Sequence, residues 1–178
     1  MIILPLILLG LAWLLTGIDQ LLPSGRGALA MGPGTPWWTL LTAPFSHADL
    51  GHLIGNSVAF LPLSYLVLLK GLRGYLAVWI FVILLEIPVW LLWPVGSHGL
   101  SGVVYGLLGY LVIIGFLERR FLTIALSIIS VVLYGSALPG LLPWVSPAGV
   151  SWIGHTSGFV AGATAAGWMS QTTDQPSA

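Results

Sequence analysis

The side chains best suited to chemistry in this 178-residue chain are Ser101 and four histidines, His47, His52, His98 and His155. A serine hydroxyl beside an imidazole is the minimal unit for nucleophilic acyl transfer. The ring takes the hydroxyl proton and later returns it to the leaving group. Ser101 stands in Gly99-Leu100-Ser101-Gly102, and His155 follows Gly154. His52 and Asn56 are four residues apart, hence on one face of a helix, and both carry donors for a developing oxyanion. Tyr105, four residues after Ser101, shares its face and can stack on the His155 ring. Cysteine is absent, which removes thiolate chemistry and Cys-based metal sites. No carboxylate is placed to complete a triad, so a Ser–His dyad is expected.

The elements that position these residues follow from composition. The chain is 57% hydrophobic and 6% charged, with a mean hydropathy of +1.02. A soluble domain carries about 25% charged residues, so an ordinary soluble fold and a disordered chain are both excluded. Five Lys+Arg against five Asp+Glu leave no basic excess for nucleic acid. The expected class is all-α, a polytopic membrane protein in which the lipid bilayer is the solvent. A helix crosses the hydrocarbon core in about 20 apolar residues. Six such stretches are read, at 2–22, 50–69, 75–93, 101–117, 121–138 and 151–169, forming one domain over 1–170 with a short, polar, disordered tail at 171–178. They are apolar throughout rather than alternating, which excludes a β-barrel. Lys70, Arg73, Arg119 and Arg120 fall in the 2–3 and 4–5 connections, and Arg26 alone lies on the other side. The positive-inside rule then places both termini in the cytoplasm, in an integral plasma-membrane protein with Trp37, Trp38, Trp93, Trp144 and Trp152 near the outer ends. Ala28-Leu29-Ala30 resembles a signal-cleavage site, but no basic segment precedes the long apolar run, so the first span is expected to be retained.

Depth brings the polar residues together. His52 lies 18 residues before Lys70, Ser101 lies 17 before Glu118, and His155 lies 16 before Gln171. At 1.5 Å per residue all three sit about 24–27 Å from the inner boundary. Small residues then say which helices touch. Gly154, Gly158 and Gly162 recur every four residues in the sixth span, and Gly102, Gly106 and Gly109 mark the fourth. Such stripes let two backbones approach closely, which would carry Ser101 to His155.

Other polar residues have plainer expectations. His47 closes a hydrogen bond in the first loop, His98 is a solvated loop histidine, and Asp49 caps the second span. Four histidines raise the possibility of zinc, but no H-E-x-x-H occurs and no acid lies near His155, so neither metal nor cofactor is expected. Glu86, inside the third span, is read as a carboxyl hydrogen-bonded to a neighbouring helix, with an ordering or gating role as the alternative.

These residues resemble the rhomboid family of intramembrane serine proteases. The second-span pattern reads His47-Ala-Asp-Leu-Gly-His52-Leu-Ile-Gly-Asn56, the G-x-S-G reads Gly99-Leu100-Ser101-Gly102, and the last-span H-x-x-G-x-x-x-G runs from His155 through Gly158 to Gly162. The resemblance implies a six-helix rhomboid-like bundle that hydrolyses peptide bonds in or near transmembrane segments of other membrane proteins, without a cofactor. It implies Ser101 as nucleophile and His155 as general base. His52, Asn56 and the Ser101 N–H, with Gly99 in support, would form the oxyanion site, and Tyr105 would pack on the base. It further implies that the segment Pro139–Gly149 moves as a cap. Many rhomboids carry Trp-Arg in the first loop; here Trp38 is followed by Thr39. The alternatives are a catalytically inactive rhomboid-like protein that binds membrane clients, and a small channel or transporter. Transporters often carry internal repeats, and none is evident.

Overall fold

The computed structural model describes residues 2–22, 28–94, 96–146 and 150–173. Arg26, the last three residues of Pro139–Gly149 and the tail beyond 173 lie outside them. Helix α1 covers Ile3–Leu21, and a single turn, α2, covers Thr39–Thr42 and tightens into a 3-10 turn at Ala43–Phe45. Then follow α3 (Leu50–Lys70), α4 (Leu72–Leu92), α5 (Ser101–Glu118), α6 (Phe121–Tyr134), a 3-10 segment at Gly135–Leu141, and α7 (Trp152–Thr173). Among the described residues no strand forms, and one isolated bridge joins Met31 to Ser97. Among the described residues, five stretches are long and apolar enough to cross a membrane: Ile3–Leu21, Leu50–Lys70, Leu72–Leu92, Ser101–Glu118 and Phe121–Leu141. The last helix, α7, is long enough, but its Gly, Ala, Ser and Thr lower its hydropathy.

Three boundaries differ from expectation, each for a local reason. The third span begins at Leu72 rather than near 75, because Gly71, at φ 122°, turns the chain in one residue and no loop is needed. The α-helix of the fifth span stops at Tyr134, and the chain continues as a 3-10 coil containing Pro139, which has no N–H to give. The last helix runs to Thr173, past the expected limit at 169. Its polar end stays helical, with Ser170 Oγ donating to the Gly167 carbonyl at 2.9 Å.

Helix α5 is the axis of the bundle. Val103 through Leu111, with Ile114 and Gly115, is buried on every side, as a helix apolar all round must be. The other helices turn large apolar side chains outward, among them Leu14, Val58, Ile80, Leu92, Phe121 and Val132. A water-soluble monomer rarely exposes so much contiguous apolar surface; hydrocarbon covers it at no cost. Against α5 lies α7. A Cβ at Gly158 would strike the Gly102 carbonyl, one at Gly162 the Gly106 carbonyl, and one at Gly109 the Phe159 carbonyl. Glycines on both helices therefore set a backbone-to-backbone seam, as the stripes predict.

Candidate active site

Helix α3 is capped by Asp49, whose carboxylate accepts the His52 N–H at 2.8 Å. That cap fixes His52 in the first turn and Asn56 one turn later. Helix α5 begins at Ser101, with no side-chain cap before it, and the first N–H groups of a helix have no partner within it. The residues ahead of it are pinned to the first loop. Met31 and Ser97 exchange backbone bonds of 3.0 and 2.8 Å, and the Gly99 N–H donates to the Ala43 carbonyl at 2.8 Å. The Leu100 N–H donates to His47 Nε2 at 3.1 Å.

That last bond settles the protonation of His47. Its Nε2 accepts, so its proton is on Nδ1 and goes to Thr16 Oγ1 at 3.0 Å, which in turn donates to the Phe45 carbonyl at 3.2 Å. Burial, with His52 and His98 close by, pushes the His47 pKa down to about 4, against the opposing pull of Asp49. The ring is a neutral strut between α1 and the turn before Ser101. Helix α1 holds the same loop twice more: Asp19 accepts from Ser46 Oγ at 2.6 Å, and Gln20 Nε2 donates to the His47 and Ala48 carbonyls.

Gly99 is in the left-handed region, at φ 104°. A Cβ there would lie 3.0 Å from the His52 ring and 3.4 Å from Asn56 Nδ2, so the absent side chain leaves the corner open to these two residues. Asn56 Nδ2 is buried and has no hydrogen-bond partner. A buried donor with nothing to bond is costly in lipid as in protein, and this one stands where an anionic oxygen would need it.

His155 sits in the first turn of α7. Its ring stacks on Tyr105, with centroids 4.2 Å apart and planes at 22°. Its Nδ1 is 3.1 Å from the Gly140 carbonyl, which can only accept, so Nδ1 carries the hydrogen and Nε2 is left with a lone pair. Ser101 and His155 line one cavity with His52, His98, Ser97 and Ser151. Its volume, about 20 Å³, admits a water. Among the described residues no hydrogen bond joins Ser101 to His155 directly. No three His, Asp or Glu side chains among them are grouped as metal ligands.

The spacing that brings His52, Asn56, Ser101, Tyr105 and His155 to one end of the bundle is that of a known family. A family model described as Rhomboid domain matches residues 34–172. The chain belongs to the rhomboid family. Similar to it are uncharacterised proteins of Mycobacterium tuberculosis and Mycobacterium leprae, 36% identical over 138 residues and 33% identical over 141. Each alignment covers 72% of this chain, and 58% and 55% of the respective relative; the chain thus spans a little over half the length of these mycobacterial proteins. A protein of Acanthamoeba polyphaga mimivirus named as a putative rhomboid protein is 32% identical over 68% of this chain and 69% of its own.

Two parts of this rhomboid's site escape sequence reasoning. The partner of His155 Nδ1 is a backbone carbonyl from the 3-10 segment, which is itself anchored by Tyr105 Oη to the Ala137 carbonyl (2.7 Å) and by Thr156 Oγ1 to the Leu141 carbonyl (2.8 Å). A carbonyl has no residue signature; the only hint is the missing carboxylate. The first part of Pro139–Gly149, expected to be a mobile cap, is in this structure tied to the base. The other missed part is α1, which precedes the matched residues and supplies Thr16, Asp19 and Gln20. In place of the frequent Trp-Arg, Thr39 Oγ1 bonds the Pro36 carbonyl at 2.7 Å and Thr35 Oγ1 at 2.9 Å, and Trp90 Nε1 bonds Thr35 from α4.

Proposed function

We propose that this rhomboid is an intramembrane serine endopeptidase that cuts transmembrane protein substrates in or near their spans. The observation that carries this reading is the convergence of Ser101 from α5 and His155 from α7 on one small cavity. There the Gly140 carbonyl fixes the imidazole as an acceptor at Nε2. In the reaction, His155 Nε2 takes the Ser101 proton as Oγ bonds the scissile carbonyl carbon. The carbonyl π bond breaks and its electron pair becomes the oxyanion, held by the Ser101 N–H, His52 and Asn56. Collapse expels the amine, which receives the proton from His155, and leaves an acyl-serine. Water in the cavity, deprotonated by the same ring, attacks the ester and releases the acid and Ser101. A backbone carbonyl takes the orienting part that a carboxylate plays in a triad.

In this reading α7 is the sixth span. Its small residues serve the seam with α5, which explains a hydropathy lower than that of a lipid-facing helix. Lys70 and Arg73 at the α3–α4 joint, with Arg119 and Arg120 between α5 and α6, support a cytoplasmic side for those connections and both termini, with the Ser101 end toward the outer face of the plasma membrane. The test is labelling by a fluorophosphonate in detergent and in liposomes, followed by cleavage of a transmembrane substrate. Wild type is expected to be labelled and to cleave, and Ser101→Ala to do neither. An unlabelled wild type that still captures membrane clients would replace this reading with a client-binding rhomboid.

A further inference from the structure

Most charged side chains among the described residues have a partner. Asp19 accepts from Ser46 Oγ, Asp49 caps α3, and Glu86 on α4 accepts from Ser157 Oγ on α7 at 2.6 Å. Both oxygens of Glu118 are taken by Lys70. Arg119, the next residue, has no carboxylate. Its one hydrogen bond among the described residues runs from Nε to the Phe116 carbonyl, at 3.4 Å. Its backbone is costly as well. At φ 52° and ψ 28° it is the one non-glycine among the described residues in the left-handed region. A Cβ is crowded there, and Gly or Asn is usual at such a helix end. Glycine would close α5 without strain, so capping does not account for an arginine.

Arg119 lines a groove between α5 and α6, with Gly115, Phe116, Ile124, Ser127 and Ile128. A Cβ at Gly115 would meet Ser127 Oγ at 2.5 Å, so the missing side chain lets α6 lean against α5. Ser127 Oγ is itself spent on the Leu111 and Val112 carbonyls. The walls are apolar and open. Phe116, Ile124 and Ile128 are exposed, and the same face of α6 continues through Val131 and Val132. From Ile124 to Val132 that face runs about 12 Å. The groove therefore opens on hydrocarbon, and its one charged group stands where α5 ends and α6 begins.

We infer that this groove binds a phospholipid of net negative charge, with its phosphate on the Arg119 guanidinium and an acyl chain along Ile124 and Ile128. The planar fork of guanidinium donors matches phosphate oxygens two at a time. Charge selects the headgroup. Lys70 and Glu118 cancel, which leaves Arg73, Arg119 and Arg120 at this end of the bundle. An anionic headgroup is attracted there, whereas a choline headgroup would add one more cation. In the orientation proposed above the lipid lies in the inner leaflet and braces the α5–α6 joint. The inference does not depend on proteolysis.

The test melts the full chain in a neutral detergent with added dioleoylphosphatidylglycerol, dioleoylphosphatidylcholine or glycerol phosphate. Phosphatidylglycerol near saturation is expected to raise Tm by about 5 °C, and the other two to leave it near its starting value. Arg119→Gly should melt at or above wild type without lipid, because the strain is relieved, and should lose most of the phosphatidylglycerol shift. Arg119→Gln, which removes only the charge, should lose it too. Arg120→Gln, outside the groove, should keep it. An equal shift with phosphatidylcholine overturns the inference. So does a shift reproduced by glycerol phosphate, which would mark a site for free phosphate. A full shift in both Arg119 variants makes Arg119 a helix cap only, and an equal loss in Arg120→Gln makes the attraction a diffuse one; either result overturns the site. Cleavage is not the readout, so these outcomes stand apart from the fate of the protease reading.

Discussion

The two ends of the bundle treat their polar groups in opposite ways. At the end away from Ser101, Lys70 at the last turn of α3 meets Glu118 at the last residue of α5, with Nζ at 2.8 and 2.6 Å from the two carboxylate oxygens. Both oxygens of Glu118 are used, and its side chain is only 4% exposed. At the Ser101 end, Asn56 Nδ2, Glu86 Oε2 and His98 Nδ1 are buried with no partner. Tyr110 Oη is also without a partner, but it lies against Gly74 on α4 rather than beside Ser101. A membrane protein can hold charges in low dielectric when they are mutually satisfied, and that pairing is structural. Polar groups left unsatisfied side by side are costly, and persist where something transient satisfies them.

If the comparison is right, the largest effect lies at the dyad. Ser101→Ala and His155→Ala should each lower the cleavage rate at least about a thousandfold, since members of such a unit fail together, while the melting temperature in detergent stays near that of wild type. Cleavage surviving in Ser101→Ala would break the comparison at its root. Next comes Asn56→Ala. Loss of one oxyanion donor costs about 10²–10³ in kcat, and because Nδ2 has no partner to lose, stability should not fall with it. A drop in thermal stability alongside a small change in kcat would make Asn56 structural.

The opposite end should invert that pattern. Glu118→Gln leaves the Lys70 ammonium without its carboxylate, and because Lys70 can still reach toward water the expected loss of stability is about 1–3 kcal/mol. The check is chemical denaturation in mild detergent, paired with kcat/KM, which should hold. The last effect is one of pH rather than of sequence, and it comes from His47. Its folded pKa, about 4, is below the 6.5 of an unperturbed histidine, so the unfolded chain binds the proton more readily. Its contribution to stability is therefore complete above pH 6.5, falls as pH drops from 6.5 toward 4, and levels off below. Thermal melts across that range should show the decline, and His47→Asn should make it shallower.

Much of this was legible in local sequence. Apolar runs of helical length were enough to place α1, α3 and α5 within a residue or two, because spanning hydrocarbon demands both length and apolarity. Counting from Lys70, Glu118 and Gln171 set His52, Ser101 and His155 at one depth, and they do gather at one end. The glycine spacing identified the α5–α7 seam, because a missing Cβ is visible in sequence. The joints were not legible: one positive φ at Gly71 moved the start of α4 by three residues, and a change of coil at Gly135 shortened α6.

By itself, then, the sequence determined the solvent this protein lives in, the helices that cross it, and which side chains share a level. These follow from side-chain type and from a fixed rise per residue. Only the tertiary structure decided which atom orients His155, what Glu86 touches, and that α1 steadies the turn before Ser101. Those answers depend on backbone carbonyls, on unpaired atoms and on gaps between helices. They are differences between neighbouring surfaces, and they come into being only when the helices pack.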